Sequence, residues 1–173
     1  MAGSWQVVSL PKTSSSVVAA LLAVIACPAA ASAEPDIGDV SNQFCELQTA
    51  DDMAGLRELM TADLRAIVED AEVRNAAVAD TSGQDSAPLA AGIPYRGVVD
   101  RPASCIASSV APATNVTIVD IAYTSEKGER WTDRLVLKPE TGEMRVDDIL
   151  FASFPTDTYQ AGLRRVLADT FDQ

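Results

Sequence analysis

Two patterns of hydrophobic and polar positions follow one another along the chain. Between residues 39 and 71, apolar residues recur every three or four positions, which is typical of amphipathic helices. Between residues 93 and 151, extended segments rich in apolar and β-branched residues are separated by turn-forming residues, which favours strands. Helices followed by an antiparallel meander predict an α+β domain.

Helices are predicted throughout the first pattern. The first covers residues 39–47, the second follows a capping box at residues 49–52, and the third is capped by Thr61. A small and polar stretch at residues 80–92 then predicts a long loop. The residues expected to face the core are Val40, Phe44, Leu47, Met53, Leu56, Leu59, Met60, Leu64, Ile67, Val68 and Ala71.

The second pattern predicts a sheet followed by a helix. The extended segments are residues 93–99, 104–110, 115–124, 130–138 and 143–151. Turn-forming residues at 125–129 and 139–142 join the last three segments into hairpins. An apolar stripe at helical spacing predicts a C-terminal helix from Asp157 to Phe171.

The N-terminal segment resembles an export signal. Residues 17–26 (VVAALLAVIA) form a short apolar run after Lys12, and Ala31-Ser32-Ala33 has the small-x-small pattern of a signal-peptidase site. We predict cleavage after Ala33, which leaves one domain at residues 34–173 in the periplasm or outside the cell. The alternatives are a transmembrane anchor, disfavoured by the length of the run, and a lipoprotein acylated at Cys27.

Charge and composition narrow the classes of partner and chemistry. The formal net charge is −12, which argues against nucleic acid and anionic lipid as partners. Cys45 and Cys105 remain after processing, and an even pair in an exported chain predicts a disulfide. The sequence has no histidine, so a structural zinc site and histidine-dependent nucleophiles are disfavoured. No metal, no cofactor and no membrane-spanning segment after processing are predicted.

The predicted turns set a register for the sheet. The loop at 125–129 places Asp120 opposite Arg134, and a four-residue loop at 139–142 places Arg134 opposite Asp147. Arg134 would then lie between two carboxylates in a cross-strand charge ladder. Such pairs contribute roughly 0.2–1 kcal/mol each when exposed, so we interpret the ladder as structural.

The same register defines a candidate pocket. It places Asp133 opposite Asp148, on the face of the sheet that carries Tyr123 and Trp131. Because side chains alternate along a strand, Asp147 and Asp148 are expected on opposite faces. Two facing carboxylates are unfavourable unless they lie at a solvated rim or share a proton in an acid/base site.

A resemblance adds an expectation about the fold. Residues 142–151 (GEMRVDDILF), after a Pro-Glu-Thr-Gly turn, resemble the last hairpin of nuclear-transport-factor-2-like proteins. Residues 51–71 and 159–171 are similar to small exported bacterial members of that superfamily, whose function is unknown. Met144 stands where those proteins often carry a tryptophan. The resemblance implies helices that close over a strongly curved sheet to form a cone.

Two functional hypotheses of different class follow. The first is a non-enzymatic periplasmic module that binds a small molecule or a protein partner, with a homodimer through the sheet as a further expectation. The second is a small enzyme of the superfamily's isomerase or dehydratase kind, in which Asp133 or Asp148 moves a proton and Tyr123 polarises a carbonyl. The missing histidine removes a common catalytic partner of such enzymes and favours the binding module.

Overall fold

The structure is a computed structural model that describes residues 36–151 and 161–172. These residues belong to one unit of the chain, Ala33–Gln173. The predicted signal peptide, its cleavage site after Ala33 and the alternative acylation at Cys27 lie outside the described residues. Among the residues that are described, no helix is long and apolar enough to cross a membrane.

The helices of the first half are confirmed, with changed ends. They are α1 (Ile37–Ala50), α2 (Met53–Glu58) and α3 (Ala62–Ser82), and the chain closes with α4 (Leu163–Phe171). Asp36, Asp52 and Thr61 cap the first three, because each side chain accepts a hydrogen bond from a backbone N–H of the first turn. The third helix runs to Ser82, so the predicted loop at 80–92 is shorter than expected.

The C-terminal helix begins later than the predicted Asp157. Gly162 is extended and forms an isolated bridge with Leu150, so the helix starts only at Leu163. The predicted residues 157–160 lie outside the described part of the chain. Leu163 and Leu167 of the predicted apolar stripe are buried in the core.

An antiparallel sheet forms the second layer and completes the predicted α+β class. Its strands are β1 (Pro102–Ala113), β2 (Val116–Ser125), β3 (Arg130–Glu140) and β4 (Glu143–Phe151), in the order β1-β2-β3-β4. The extended segment predicted at residues 93–99 is wrong as a strand, because these residues are irregular. Its backbone is instead held by side chains of other elements, as described below.

One face of the sheet packs against the helices. Alternate residues of β2, β3 and β4 are almost fully buried, which is the pattern of strands with one covered face. The main contributors to this core are Phe44, Leu56, Leu64, Val68, Val119, Ile121, Leu135, Leu137, Val146, Ile149 and Phe151. The amphipathic pattern of the sequence therefore identifies the covered faces correctly.

The predicted register between β2 and β3 is confirmed. Asp120 lies opposite Arg134, and Tyr123 lies opposite Trp131. The Nε atom of Arg134 donates to Oδ1 of Asp120 at 2.7 Å. Half of the predicted charge ladder is therefore present.

The predicted register between β3 and β4 is wrong. The turn contains only Thr141 and Gly142, both with positive φ (52° and 88°), and Glu140 lies opposite Glu143. Such a two-residue turn matches the twist of the strands that it joins. Arg134 therefore lies opposite Leu150 rather than Asp147.

A bulge in β4 places its two aspartates at positions that differ from the predicted ones. Val136 lies opposite Asp148 and Leu137 opposite Val146, which leaves Asp147 as the extra residue. Asp133 lies opposite Phe151, so the predicted Asp133–Asp148 pair does not form. The expectation that Asp147 and Asp148 point to opposite faces is also wrong, because the bulge places both between the buried Val146 and Ile149.

The disulfide between Cys45 and Cys105 joins the two layers, as predicted. Cys45 lies in α1 and Cys105 near the start of β1, with their Cα atoms 5.1 Å apart. This distance is within the range that a disulfide requires. The bond fastens the outermost strand to the first helix.

Removing the disulfide should cost a large part of the stability. The bond closes a loop with a sequence separation of 60 residues, which restricts the unfolded chain by about 4 kcal/mol in the loop-entropy account. We expect the Cys45→Ala/Cys105→Ala variant to unfold in denaturant with a free energy lower by about this amount. Wild type in reducing buffer is the matched control and should behave like the variant. Equal stability of the oxidised wild type and the variant would contradict this expectation.

The Asp120–Arg134 pair gives a second prediction. Arg134→Gln should lower the free energy of unfolding by only about 0.2–1 kcal/mol, because the pair is half-exposed. Arg134→Glu places a carboxylate opposite Asp120 and should destabilise the sheet more than the glutamine variant does. Thermal denaturation of the two variants measures the difference. If both melt like wild type, the cross-strand pair contributes nothing.

Candidate functional site

Three of the four predicted pocket residues lie together on the inner face of the sheet. Asp133 is 0% exposed and Tyr123 is 1% exposed. The ring of Tyr123 stacks on Trp131, with centroids 5.0 Å apart and planes inclined by 18°. Asp148 is not part of this group, because it lies opposite Val136 and binds the start of α4.

Asp133 holds an irregular segment of the chain by a hydrogen bond. We call residues 93–101 the strap. The backbone N–H of Gly97 donates to Oδ2 of Asp133 at 2.8 Å. A buried carboxylate needs such donors, because a charge taken out of water without partners is costly. Asp133 thus works as an anchor for the strap.

A buried glutamine of α1 holds the strap at a second point. Nε2 of Gln48 donates to the carbonyl oxygen of Tyr95 at 2.8 Å, and its Oε1 accepts from Nη1 of Arg96 at 3.1 Å. Nη2 of Arg96 also donates to Oδ1 of Asp51 at 3.0 Å. The sequence carried a signal for this contact, because Gln48 continues the apolar i, i+4 row of Val40 and Phe44.

The environment of Tyr123 disfavours an acid/base role. Burial raises the pKa of its hydroxyl well above the usual value, the charge of Asp133 raises it further, and the charge of Arg96 opposes the shift. Its hydroxyl and the Nε1 atom of Trp131 have no hydrogen-bond partner among the described residues. The phenol therefore keeps its proton near neutral pH.

Asp147 and Asp148 bind the C-terminal helix through Arg164. We call Asp63, Asp147, Asp148 and Arg164 the C-terminal clamp. Oδ1 of Asp147 accepts from Nη2 of Arg164 at 2.8 Å, and Oδ1 of Asp148 accepts from the backbone N–H of Arg164 at 3.1 Å. Nη1 of Arg164 also donates to Oδ2 of Asp63 at 3.1 Å. The two adjacent aspartates thus act together, in docking α4.

The carboxylate of Asp148 lies close to Gly162 and the start of α4. A Cβ atom added to Gly162 would clash with Oδ2 of Asp148, so the close approach requires glycine there. Burial raises the pKa of Asp148, while hydrogen bonds from the backbone N–H groups of Arg164 and Ile149 oppose the shift. The raised pKa of Asp148 therefore results from its burial near Gly162 and the start of α4, and not from a pairing with Asp133.

A cleft of ≈ 510 Å³ opens between α2, α3 and the strap. Two ion pairs line it: Nη1 of Arg57 lies 2.9 Å from Oε2 of Glu72, and Nη2 of Arg96 lies 3.0 Å from Oδ1 of Asp51. Tyr95 also lines it, and burial raises the pKa of its hydroxyl to about 12, against the charge of Arg57. The apolar lining residues are Met53, Ala91, Ile93, Pro94, Val98 and Val99.

None of the predicted pocket residues lines this cleft. Sequence reasoning missed it because its charged residues look like ordinary solvated positions of two helices and a loop. The described ranges also hold no group of three or more histidine, cysteine, aspartate or glutamate side chains arranged to bind a metal ion. The charged and apolar residues that line the cleft can form ion pairs, hydrogen bonds and apolar contacts with a ligand.

Comparison with known proteins adds no assignment: no protein-family model, no curated protein and no solved structure matches the chain. Membership of the nuclear-transport-factor-2-like superfamily stays a prediction that rests on the residues quoted above.

The raised pKa of Asp148 predicts a pH-dependent effect of removing its charge. The ionised form is disfavoured in the fold, so the contribution of Asp148 to stability is full below its unfolded pKa, near 3.8, and is lost as the pH rises through the folded pKa. Asp148→Asn keeps an acceptor without the charge. We expect the variant to equal or exceed wild type in unfolding free energy at pH 7, and to lose this advantage at pH 3.

The neighbouring aspartate provides the control. Asp147→Asn weakens the ion pair with Arg164, so the same substitution should lower the unfolding free energy at pH 7. Chemical denaturation of wild type and both variants at the two pH values measures these effects. A strongly destabilised Asp148→Asn protein at pH 7 would show that the charge of Asp148 stabilises the fold.

Proposed function

We propose that this protein is an exported, non-catalytic module that binds a small polar molecule in the cleft between α2, α3 and the strap. The observation that carries the proposal is the cleft of ≈ 510 Å³ with two cation–anion pairs in its lining. Its volume is in the range of small-molecule sites in proteins. Export is supported by the apolar run at residues 17–26 and the small-x-small pattern that ends at Ala33.

The lining favours a ligand that carries charges of both signs. Arg57 and Arg96 can meet a carboxylate, and Glu72 and Asp51 can meet an amino group. Apolar contact from neighbours such as Met53 suits a short aliphatic or aromatic side chain. Free amino acids and dipeptides combine these three features.

The cleft is partly preorganised, which supports binding. The side chain of Arg96 is only 10% exposed, and Gln48 and Asp51 fix its guanidinium group. The strap that carries Tyr95 and Arg96 is itself held by Asp133. Groups that are already ordered lose less conformational entropy when a ligand binds.

The positions of the candidate acids support a non-catalytic role. Asp133 is fully buried and accepts a hydrogen bond from the strap, and Asp148 is enclosed by Gly162 and the start of α4. Neither lines the cleft, and Tyr123 does not line it either. Acid/base work requires the reacting group to reach the substrate directly or through one water.

The enzyme alternative keeps one observation in its favour. The hydroxyl of Tyr123 is buried without a hydrogen-bond partner among the described residues, and it interacts electrostatically with Asp133. An isomerase or dehydratase that uses these groups would need them to become accessible to the substrate first, because both are buried. Tyr123→Phe separates the two functions, because it should abolish turnover in the enzyme and leave binding in the cleft unchanged.

A thermal-shift screen with free amino acids and dipeptides tests the binding proposal. A ligand at 100 times its dissociation constant stabilises the folded state by about 2.7 kcal/mol, which corresponds to several degrees in melting temperature. We expect at least one compound of this class to raise the melting temperature of wild type. Arg57→Gln should abolish the shift.

Arg65→Gln is the matched control for this experiment. Arg65 and Arg57 have the same side-chain exposure, 34%, and each pairs with a glutamate, but Arg65 does not line the cleft. The Arg65→Gln and Tyr123→Phe variants should keep the full shift. If no compound of the class shifts wild type, or if Arg57→Gln responds like wild type, the cleft is not the binding site proposed.

A further inference from the structure

The two ion pairs of the cleft differ in how much hydrogen-bonding capacity they keep for a ligand. Nη1 of Arg96 donates to Gln48, and the side chain of Arg96 is only 10% exposed. Nη2 of Arg96 donates both to Asp51 and to the carbonyl oxygen of Val99. Because these bonds hold the strap on α1, Arg96 has little donor capacity left for a ligand.

The pair of Arg57 and Glu72 keeps free groups on both partners. Nη1 of Arg57 donates to Oε2 of Glu72 at 2.9 Å, and Nε of Arg57 is buried. Within residues 36–151 and 161–172, neither Nη2 of Arg57 nor Oε1 of Glu72 has a hydrogen-bond partner. The two side chains are partly exposed and both line the cleft. A ligand there meets a free donor and a free acceptor side by side.

Tyr95 forms an uncharged wall beside this pair. It is buried, and its hydroxyl interacts electrostatically with both Arg57 and Glu72. Burial raises the pKa of this hydroxyl to about 12, against the charge of Arg57, so the phenol is neutral at physiological pH. Charges beside buried, uncharged surface are screened less than charges surrounded by water. The pair therefore attracts opposite charges more strongly than an ion pair on an open surface does.

Charge balance favours a ligand that is neutral overall. The cleft lining contains two arginines and two acidic residues, so its formal charges cancel. A carboxylate alone would add a negative charge to a chain whose net charge is already −12. A zwitterion adds no net charge and is attracted by both signs of the lining.

The close spacing of Arg57 and Glu72 discriminates among zwitterions. The opposite charges of the pair are in direct contact. In a free α-amino acid the ammonium group and the carboxylate are attached to the same carbon atom, so its charges are adjacent too. Such a head group can bind both side chains at once through charge-assisted hydrogen bonds. In a dipeptide the two groups belong to Cα atoms about 3.8 Å apart and match the pair less well.

We infer that the Arg57–Glu72 pair binds the head group of a free α-amino acid, with the carboxylate on Nη2 of Arg57 and the ammonium group on Oε1 of Glu72. The inference rests on the proposed ligand cleft and narrows its ligands from amino acids and dipeptides to α-amino acids. Apolar lining residues such as Met53 and Ile93 then provide contacts for the ligand's side chain.

Isothermal titration calorimetry with leucine, methionine and phenylalanine tests the inference. The amino acid that binds most tightly is compared with four analogues of the same side chain. These are the acid without the amino group, the amine without the carboxylate, the dipeptide with glycine, and an isomer with separated charges (for leucine, isocaproate, isopentylamine, leucyl-glycine and ε-aminocaproate). Each analogue should bind wild type about tenfold more weakly or worse, because it forms one charge-assisted hydrogen bond fewer.

Two substitutions assign the two charges of the ligand. Arg57→Gln should bind the amino acid no more tightly than the amine, and Glu72→Gln should bind it no more tightly than the acid without the amino group. Arg65→Gln and Glu58→Gln are the matched controls, because these residues form an ion pair that does not line the cleft. Both controls should keep the preferences of wild type. Circular dichroism checks that each variant is folded.

The outcomes separate this inference from the proposed function. A dipeptide or an isomer with separated charges that binds wild type as tightly as the α-amino acid would overturn the inference and leave the ligand cleft in place. A folded Glu72→Gln protein that still prefers the amino acid to the acid without the amino group would also overturn it. If no amino acid, dipeptide or analogue binds wild type, both the inference and the proposed function are wrong.

Discussion

The hydrogen bond between the buried carboxylate of Asp133 and the backbone N–H of Gly97 is the contact on which the candidate site depends. Asp133 occupies a position that the alternation of β3 assigns to the core, and a charged group there is tolerated only with donors around it. The strap supplies such a donor. In return, the carboxylate holds an irregular segment at a defined place over the sheet.

The position of the cleft follows from this anchoring. With Gly97 held by Asp133 and Tyr95 held by Gln48, the side chain of Arg96 lies where Asp51 can pair with it. The polar contacts of the strap thus organise one half of the cleft, and α2 and α3 supply the other through Arg57 and Glu72. A buried acid that resembled a catalytic group in the sequence acts instead as a structural anchor for a binding surface.

The outer edge of β4 depends on contacts with distant segments of the chain. β4 is closed by segments before α3 and before α4, and Arg164 locks the second of these onto Asp147 and Asp148. β1, the last strand on the other side of the sheet, contains no charged residue although the chain is strongly acidic.

The elements of this fold were largely readable from the sequence, because they depend on local patterns. The apolar rows of α1, α2 and α3, the β-branched β2, and the pairing of Cys45 with Cys105 each follow from spacing, propensity or parity. The register of β3 and β4 did not follow. A shift of two residues keeps the same side chains on the covered face. The hydrophobic pattern therefore allows Val146 to lie opposite Leu135, as predicted, or opposite Leu137, as observed.

Tertiary contacts decided what the local pattern left open. The carboxylate of Glu140 accepts from the backbone N–H of Ala62 at the start of α3, which favours the two-residue turn that keeps Glu140 in β3. The bulge at Asp147 gives Arg164 its partners, and Gln48 reaches Tyr95 across 47 residues of sequence. The periodicity of a sequence reports which face of an element avoids water. The partners of a polar group on that face depend on where distant segments pack, which only the folded chain determines.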